Sequence, residues 1–275
     1  MAYPVIAAPY GFKAINLIGG QVYAGADRFY TIQNNYGTSI FFGDFVTVTN
    51  GLVTLAQVTS STSGKQTIGV FAGCSYTNPL TKQLTFSQYY PANTAAGDIK
   101  AYVLDDPDTV FKAVMVTANG SSVLGSGSQA IVGLNLAGSY QAGNTLNGDS
   151  LNGLVAPTAT PSTGLPFRVL SLVNDTAQAV SATGGNASTP GTTITLTGSG
   201  LPNAIPQGAD VAYLLNGQLV QTGAFVANSG GYATGTTSIT TDKNVSIPSG
   251  STVVFTSYPE VLVKINFGIH NYYAA

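Results

Sequence analysis

Short apolar–polar alternations, closed off by Gly, Pro or Asn, recur along the whole of this chain. A period of two places successive side chains on opposite faces of a strand. The clearest case is Phe45–Val58, FVTVT-NG-LVTLAQV, where two alternating arms flank an Asn-Gly pair. That dipeptide suits the two positive-φ positions of a tight hairpin. Val211–Gly223, VAYLL-NG-QLVQTG, repeats the design, and Asn119-Gly120, Asn147-Gly148 and Asn152-Gly153 supply three more such pairs. Alternation returns at Gln83–Gln88, Ile99–Leu104, Val110–Thr117, Ala130–Leu136, Phe167–Val173 and Val261–Phe267. The pattern predicts an all-β chain with at most a helical turn or two.

The same pattern divides the chain. Residues 176–257 carry three charges, Asp210, Asp242 and Lys243, against 17 in the remaining 193 residues. The stretch opens on a loose linker, TAQAVSATGGNASTPG, and continues as short strands between Gly-rich turns. Such a run over some 80 residues predicts an immunoglobulin-like sandwich, here without the Cys…Trp…Cys core of antibody domains. Its flanks, FRVLSLV (Phe167–Val173) and VLVKINF (Val261–Phe267), each set one basic residue, Arg168 or Lys264, opposite the main apolar series. They read as partners in one sheet, with the module inserted between them at a site where the chain ends lie close. Simple tandem order, with Val261–Phe267 as the module's last strand, is the alternative. The expected division is a β-sandwich or barrel-like main domain at 1–174 plus 258–275, and an Ig-like β-sandwich at 175–257.

Composition narrows the function. Of 275 residues only 7% are charged, against roughly 25% in ordinary soluble domains, and the net charge is −2. A chain that works free in solution usually keeps more charge, so packing into an assembly is the better fit. Nine basic residues, none adjacent, leave no stripe for nucleic acid. No apolar run reaches the ~20 residues of a membrane helix. Met1–Gly11 lacks the basic start of a signal peptide, and Pro4 and Pro9 interrupt it.

Candidates for chemistry are few, because Cys74, Glu260 and His270 are each the sole residue of their type. One Cys leaves no disulfide framework or CxxC motif, and one His leaves no usual zinc site. Cys74 reads as a small buried thiol and His270 as a packing or interface residue. Asp105, Asp106 and Asp108 form the one acidic cluster, in AYVLDDPDTVF. Three carboxylates could hold Ca²⁺, but the spacing is not that of an EF-hand loop, and Asp before Pro more simply initiates a turn. Gly125-Ser126-Gly127 has neither the Lys nor the helix of a phosphate-binding loop. No catalytic residues, cofactor or metal are assigned, and the chain is expected not to be an enzyme.

Aromatic residues stand out more, with 15 Tyr and 12 Phe. Most suit cross-strand packing, but the ends of the chain are different. Tyr3, Tyr10 and Phe12 cluster around two prolines, and Tyr272 and Tyr273 close the chain without a regular period. Extended aromatic ends suit arms that lie in a neighbour's groove, so these five are the expected interface residues.

Four segments carry a resemblance: YGFKAINLIGGQVYAGADRFYTI, GVFAGCSYTNPLTKQLTFSQYYPANT, IKAYVLDDPDTVF and PEVLVKINFGIHNY. Together they resemble small virion proteins of tailed bacteriophages, cyanophages included, of the head decoration or cement type. The likeness covers roughly residues 8–174 and 258–273 and skips the Ig-like stretch, in which TITLTGSGLP is similar to the first strand of bacterial and phage Ig-like modules. It implies a capsid decoration protein on the head exterior, made in the host cytoplasm. Its partners would be the major capsid protein of an HK97-like shell and two further copies in a homotrimer, with no nucleic acid or membrane bound. The module would project outward, where it could touch a host surface. The rival expectation is a trimeric tail-fibre or adhesin-type subunit that binds a host surface glycan.

Overall fold

The structure is a computed structural model that describes residues 6, 8–56, 67–116, 129–155, 165–173, 176, 180–186, 190–205, 207–215, 218–255, 258–266 and 270. It is all-β, built of sandwich and barrel-like sheets that close or nearly close on themselves. The chain forms two compact units. One comprises Pro9–Ser121, Gln129–Leu172 and Val261–Ala275, and the other Met1–Ala8, Ser122–Ser128 and Val173–Glu260.

In the first unit, the barrel unit, six of the eleven strands (β3, β4, β6, β7, β8 and β11) fall on the alternations read from the sequence. They are β1 (Lys13–Leu17), β2 (Arg28–Thr31), β3 (Phe45–Thr49), β4 (Leu52–Leu55), β5 (Gly69–Thr77) and β6 (Leu84–Ser87). After them come β7 (Lys100–Leu104), β8 (Thr109–Val116), β9 (Asn135–Gly138), β10 (Leu154–Val155) and β11 (Phe167–Leu172). The second unit, the module, contributes β12 (Ser181–Gly185), β13 (Gly191–Leu196), β14 (Asp210–Leu215), β15 (Gln218–Phe225), β16 (Ser238–Val245) and β17 (Ser251–Val254). The chain then returns as β18 (Glu260–Ile265).

Two sheets make the barrel unit. The first runs β1-β8-β10-β9-β11-β18, and an added β8–β18 pairing closes it. The second runs β2-β7-β5-β3-β4 with β6 also on β5, and a bridge from Ile32 to Val53 brings its ends together. Strands β11 and β18 are antiparallel neighbours, with Arg168 directly opposite Lys264. The module therefore leaves and re-enters through two adjacent strands. Its own six strands run β15-β14-β17-β12-β13-β16, and a Val226–Thr241 bridge joins the two ends around a core of Ile194, Val211, Ile239, Val253 and Phe255.

Two sequence expectations need correction. Ala130–Leu136 is not one strand. A 3-10 turn occupies Gln129–Ile131, Gly133 takes φ +83°, and the strand begins only at Asn135. Of the Asn-Gly pairs, Asn50-Gly51 makes the expected tight hairpin, with φ of 51° and 80° between β3 and β4. Asn147 instead accepts the Asp149 N–H on its side chain, and Asn152 is buried and bonded to Asp44. Asn119-Gly120 and Asn216-Gly217 lie outside the described residues.

Candidate functional site

The predicted arm residues separate sharply. Tyr3, Tyr272 and Tyr273 lie outside the described residues. Phe12, only 1% exposed, is no arm residue but a centre of the barrel-unit core. Its ring meets Phe45 at 4.1 Å and Phe167 at 5.1 Å between centroids. The reason lies in its neighbour. Gly11, at φ +76°, lies against Gly43, where a Cβ would meet Ser150 Cβ at 2.7 Å and the Gly43 carbonyl oxygen at 2.8 Å. That approach lets Gly11 N–H reach the Asn152 carbonyl and Phe12 N–H the Gly43 carbonyl, pinning the segment. Tyr10, just before it, is half-buried, with the Lys13 ammonium 4.6 Å from its ring centroid.

The acidic turn is tied into structure. Asp105 Oδ2 pairs with Arg28 Nε at 3.2 Å and accepts from the Tyr30 hydroxyl at 2.7 Å. Asp106 Oδ1 accepts the Asp108 N–H, the local turn its sequence suggests. Asp108 pairs with Lys264 at 3.6 Å, which lets that lysine sit buried rather than on an open face. Among the described residues, no group of three His, Cys, Asp or Glu is placed to hold a metal ion.

The three residues that are sole of their type, Cys74, Glu260 and His270, are all interior. His270 is fully buried, with Nε2 3.1 Å from the Asp105 carbonyl oxygen and a parallel bridge to Thr67. Burial pulls its pKa down, against the pull of Asp105. Cys74 is buried on β5, where desolvation pushes its thiol up to about 12, so it is not a ready nucleophile. The phosphate-loop candidate Gly125-Ser126-Gly127 lies outside the described residues.

Sequence reasoning missed Asp44. Fully buried, it accepts from Ser150 Oγ at 2.5 Å and Asn152 Nδ2 at 2.7 Å on one oxygen, and from Phe41 N–H at 2.8 Å on the other. Desolvation dominates those donors and pushes its carboxyl up to about 6. The group locks two loops more than 100 residues apart. A lone Asp between Gly43 and Phe45 offered no sequence signal for this.

The barrel unit exposes several large apolar side chains. Residues Asn16 to Val22 form a small hairpin, closed by Leu17 N–H to the Gln21 carbonyl, that exposes Ile18 and Val22, the latter at 82%, with exposed Ile15 just before it on β1. On the second sheet, Phe29 of β2, Tyr102 of β7 and Phe86 of β6 share the face turned away from the core. Phe29 and Tyr102 meet edge to face at 5.1 Å. Between Tyr102 and Phe86 lies a trough of about 470 Å³ floored by Gly73. The module has a different hollow, lined by Gly184, Gly185, Asn186, Thr195, Thr197 and the Ser246–Ser249 segment with Ile247 and Pro248, and no aromatic ring or charge is among its lining residues.

No protein-family profile matches the chain, and no curated protein or solved structure shows significant similarity to it. Among the described residues, no helix is long and apolar enough to cross a membrane.

Proposed function

We propose that this chain is a virion structural protein. In this reading it is a capsid decoration protein that docks on the outside of an HK97-like shell as a homotrimer and performs no catalysis. The observation that carries the reading is the exposed apolar hairpin of the barrel unit, with Ile18 and Val22 held out by a hydrogen-bonded turn and Ile15 exposed beside it. It falls within the first segment that resembles phage head proteins. The sparse charge of the chain supports contact with a large uncharged protein surface. The polar groups of the kind an active site needs, Asp44, Asp105, Asp108 and His270, are engaged in holding loops together.

The mechanism is thermodynamic. A protein that binds the assembled lattice but not its free subunits stabilises the lattice by mass action. Three joined copies add avidity, since docking one raises the effective concentration of the others. The test is cosedimentation with heads of the encoding phage that lack this protein. Saturable binding, lost in an Ile18→Asp/Val22→Asp double variant that still folds, is expected. Wild-type protein left in the supernatant would overturn the reading. The rival glycan-binding role would use the uncharged hollow over Gly184 and Gly185. Retention of the intact chain on host polysaccharide, without head binding, would install that role instead.

A further inference from the structure

Three Asn-Gly pairs lie among the described residues, and their surroundings differ in a way that bears on chemistry. Asparagine is thermolabile, most of all before glycine, whose nitrogen reaches the side-chain amide with no Cβ to crowd the approach. That attack needs a peptide N–H that is not hydrogen-bonded, a side-chain amide that is not held, and room for a ring to close. Asn50-Gly51 meets all three conditions. Both residues are exposed at the tip of the β3–β4 hairpin, between Thr49 and Leu52, which stand directly opposite each other. Among the described residues, nothing accepts the Gly51 N–H and nothing hydrogen-bonds the Asn50 side chain. A Cβ placed on Gly51 would meet nothing within 4 Å.

The other two pairs are closed on every count. At Asn147-Gly148, the Gly148 N–H donates to the Asn144 carbonyl at 2.8 Å, and Asn147 Oδ1 accepts the Asp149 N–H at 3.0 Å. A Cβ on Gly148 would stand 3.1 Å from Gln88 Cβ. Asn152-Gly153 is held harder still. The Gly153 N–H donates to Ser139 Oγ at 3.0 Å, Asn152 Nδ2 donates to Asp44 at 2.7 Å, and Asn152 Oδ1 accepts the Gln141 N–H at 2.7 Å. There a Cβ would come within 2.9 Å of Val116 Cγ1, and Asn152 is buried.

We propose that Asn50 is a self-modification site, where the folded chain converts asparagine to aspartate and isoaspartate with water as the co-reactant. Solvent hydroxide takes the Gly51 N–H proton, and the nitrogen bonds to Asn50 Cγ. The Cγ–Nδ2 bond breaks, and Nδ2 takes a proton from water and leaves as ammonia. Water then opens the cyclic imide. Opening at Cγ gives aspartate, and opening at the main-chain carbonyl gives isoaspartate, whose main chain runs through Cβ and Cγ. No atom is oxidised or reduced. Each event adds one negative charge to a chain whose net charge is −2. The isoaspartate form also adds a carbon to the main chain of a two-residue turn, whose length fixes the hairpin register. The added length bears on Val53, fully buried beside the turn and bridged to Ile32 where the second sheet closes. The inference goes beyond shell docking and does not depend on it.

Incubation of the intact folded protein in mildly alkaline buffer, followed by peptide mapping with tandem mass spectrometry, tests it. The mass gain of an amide turned acid is expected at Asn50, with isoaspartate among the products. Conversion there should run roughly tenfold or more faster than at Asn147 or Asn152, where at least two hydrogen bonds must break first. The same chain held in denaturant is the control, and there the three pairs should convert at similar rates. Three results would overturn the proposal: folded-state conversion at Asn147 or Asn152 as fast as at Asn50, an Asn50 that converts in denaturant but not in the folded chain, or a preference for Asn50 that persists unchanged in denaturant. Head binding is read separately, so neither proposal falls with the other.

Discussion

The barrel unit and the module solve the same problem, fixing long loops around a β core, with different chemistry. In the barrel unit the buried pins are titratable: Asp44 holds Phe41, Ser150 and Asn152, and His270 lies against the Asp105 carbonyl. In the module the corresponding pin is an amide. Asn186 donates to the Val245 carbonyl and accepts the Ile247 N–H at 2.7 Å, joining the start of the module to its far end. Hydroxyls do the rest, as where Thr241 Oγ1 donates to the Thr192 carbonyl at 3.1 Å. The module unit does bury two acids: Asp210, whose pKa burial raises, and Glu260, which accepts from the Thr176 hydroxyl. The contrast teaches that a low overall charge is not the same as a neutral interior. The barrel unit keeps part of its small set of charges inside, where each is tied to geometry.

The largest effect that would break this comparison lies in the aromatic core. Phe12→Ala should cost the barrel unit about 3–5 kcal/mol, as large-to-small changes at buried rings do, while leaving the module intact. Tyr10→Ala, half-exposed and two residues away, should stay within about 0.5 kcal/mol. Amide exchange followed separately in β11 and β13 reads both units. Equal, small effects at the two positions would return Phe12 to the arm.

Next in size is pH. The folded-state pKa of Asp44 is raised from 3.8 to about 6, so its contribution to stability is fully present below about pH 4 and is lost as pH rises through 6. The difference corresponds to about 3 kcal/mol at most, taken from the barrel unit. Exchange in that unit should quicken across this window more than in the module, where Asp210 gives a slope of the same sign. Asp44→Asn should flatten the slope, although its amide would then face the Phe41 N–H donor to donor. An unchanged slope in that variant would remove Asp44 as the cause.

Two smaller changes sharpen the contrast from either side. Asn186→Ala leaves the Ile247 N–H and the Val245 carbonyl without that partner, and should cost about 1–3 kcal/mol in the module alone. Arg28→Ala removes an ion pair whose arginine side chain is largely exposed, and should cost the barrel unit less than about 1 kcal/mol. Denaturant melts with unit-resolved exchange would expose a spill from one unit into the other.

Much of the strand layout was legible because alternation is a local signal. β3, β4, β7, β8, β11 and β18 all overlap runs read from the sequence, with ends that differ by three residues or fewer. The hairpin at Asn50-Gly51 was legible for the same reason. What escaped was long-range. Nothing in PYGF shows that Gly11 will face Gly43, and that approach turns Phe12 from an arm residue into core. Asp44 carries no motif, since its donors come from residues 150 and 152. Ala130–Leu136 misled because its alternation runs through Gly133, whose positive φ ends any extended run.

The central claim is tested most directly by imaging the virion. Purified particles of the encoding phage, reconstructed by cryo-electron microscopy, should show density for this chain on the outer face of the head shell, at a fixed number of copies per capsomer. The apolar hairpin around Ile18 and Val22 should lie against the major capsid protein. Density for this chain on the tail or fibres, or heads whose outer face lacks it, would contradict the account.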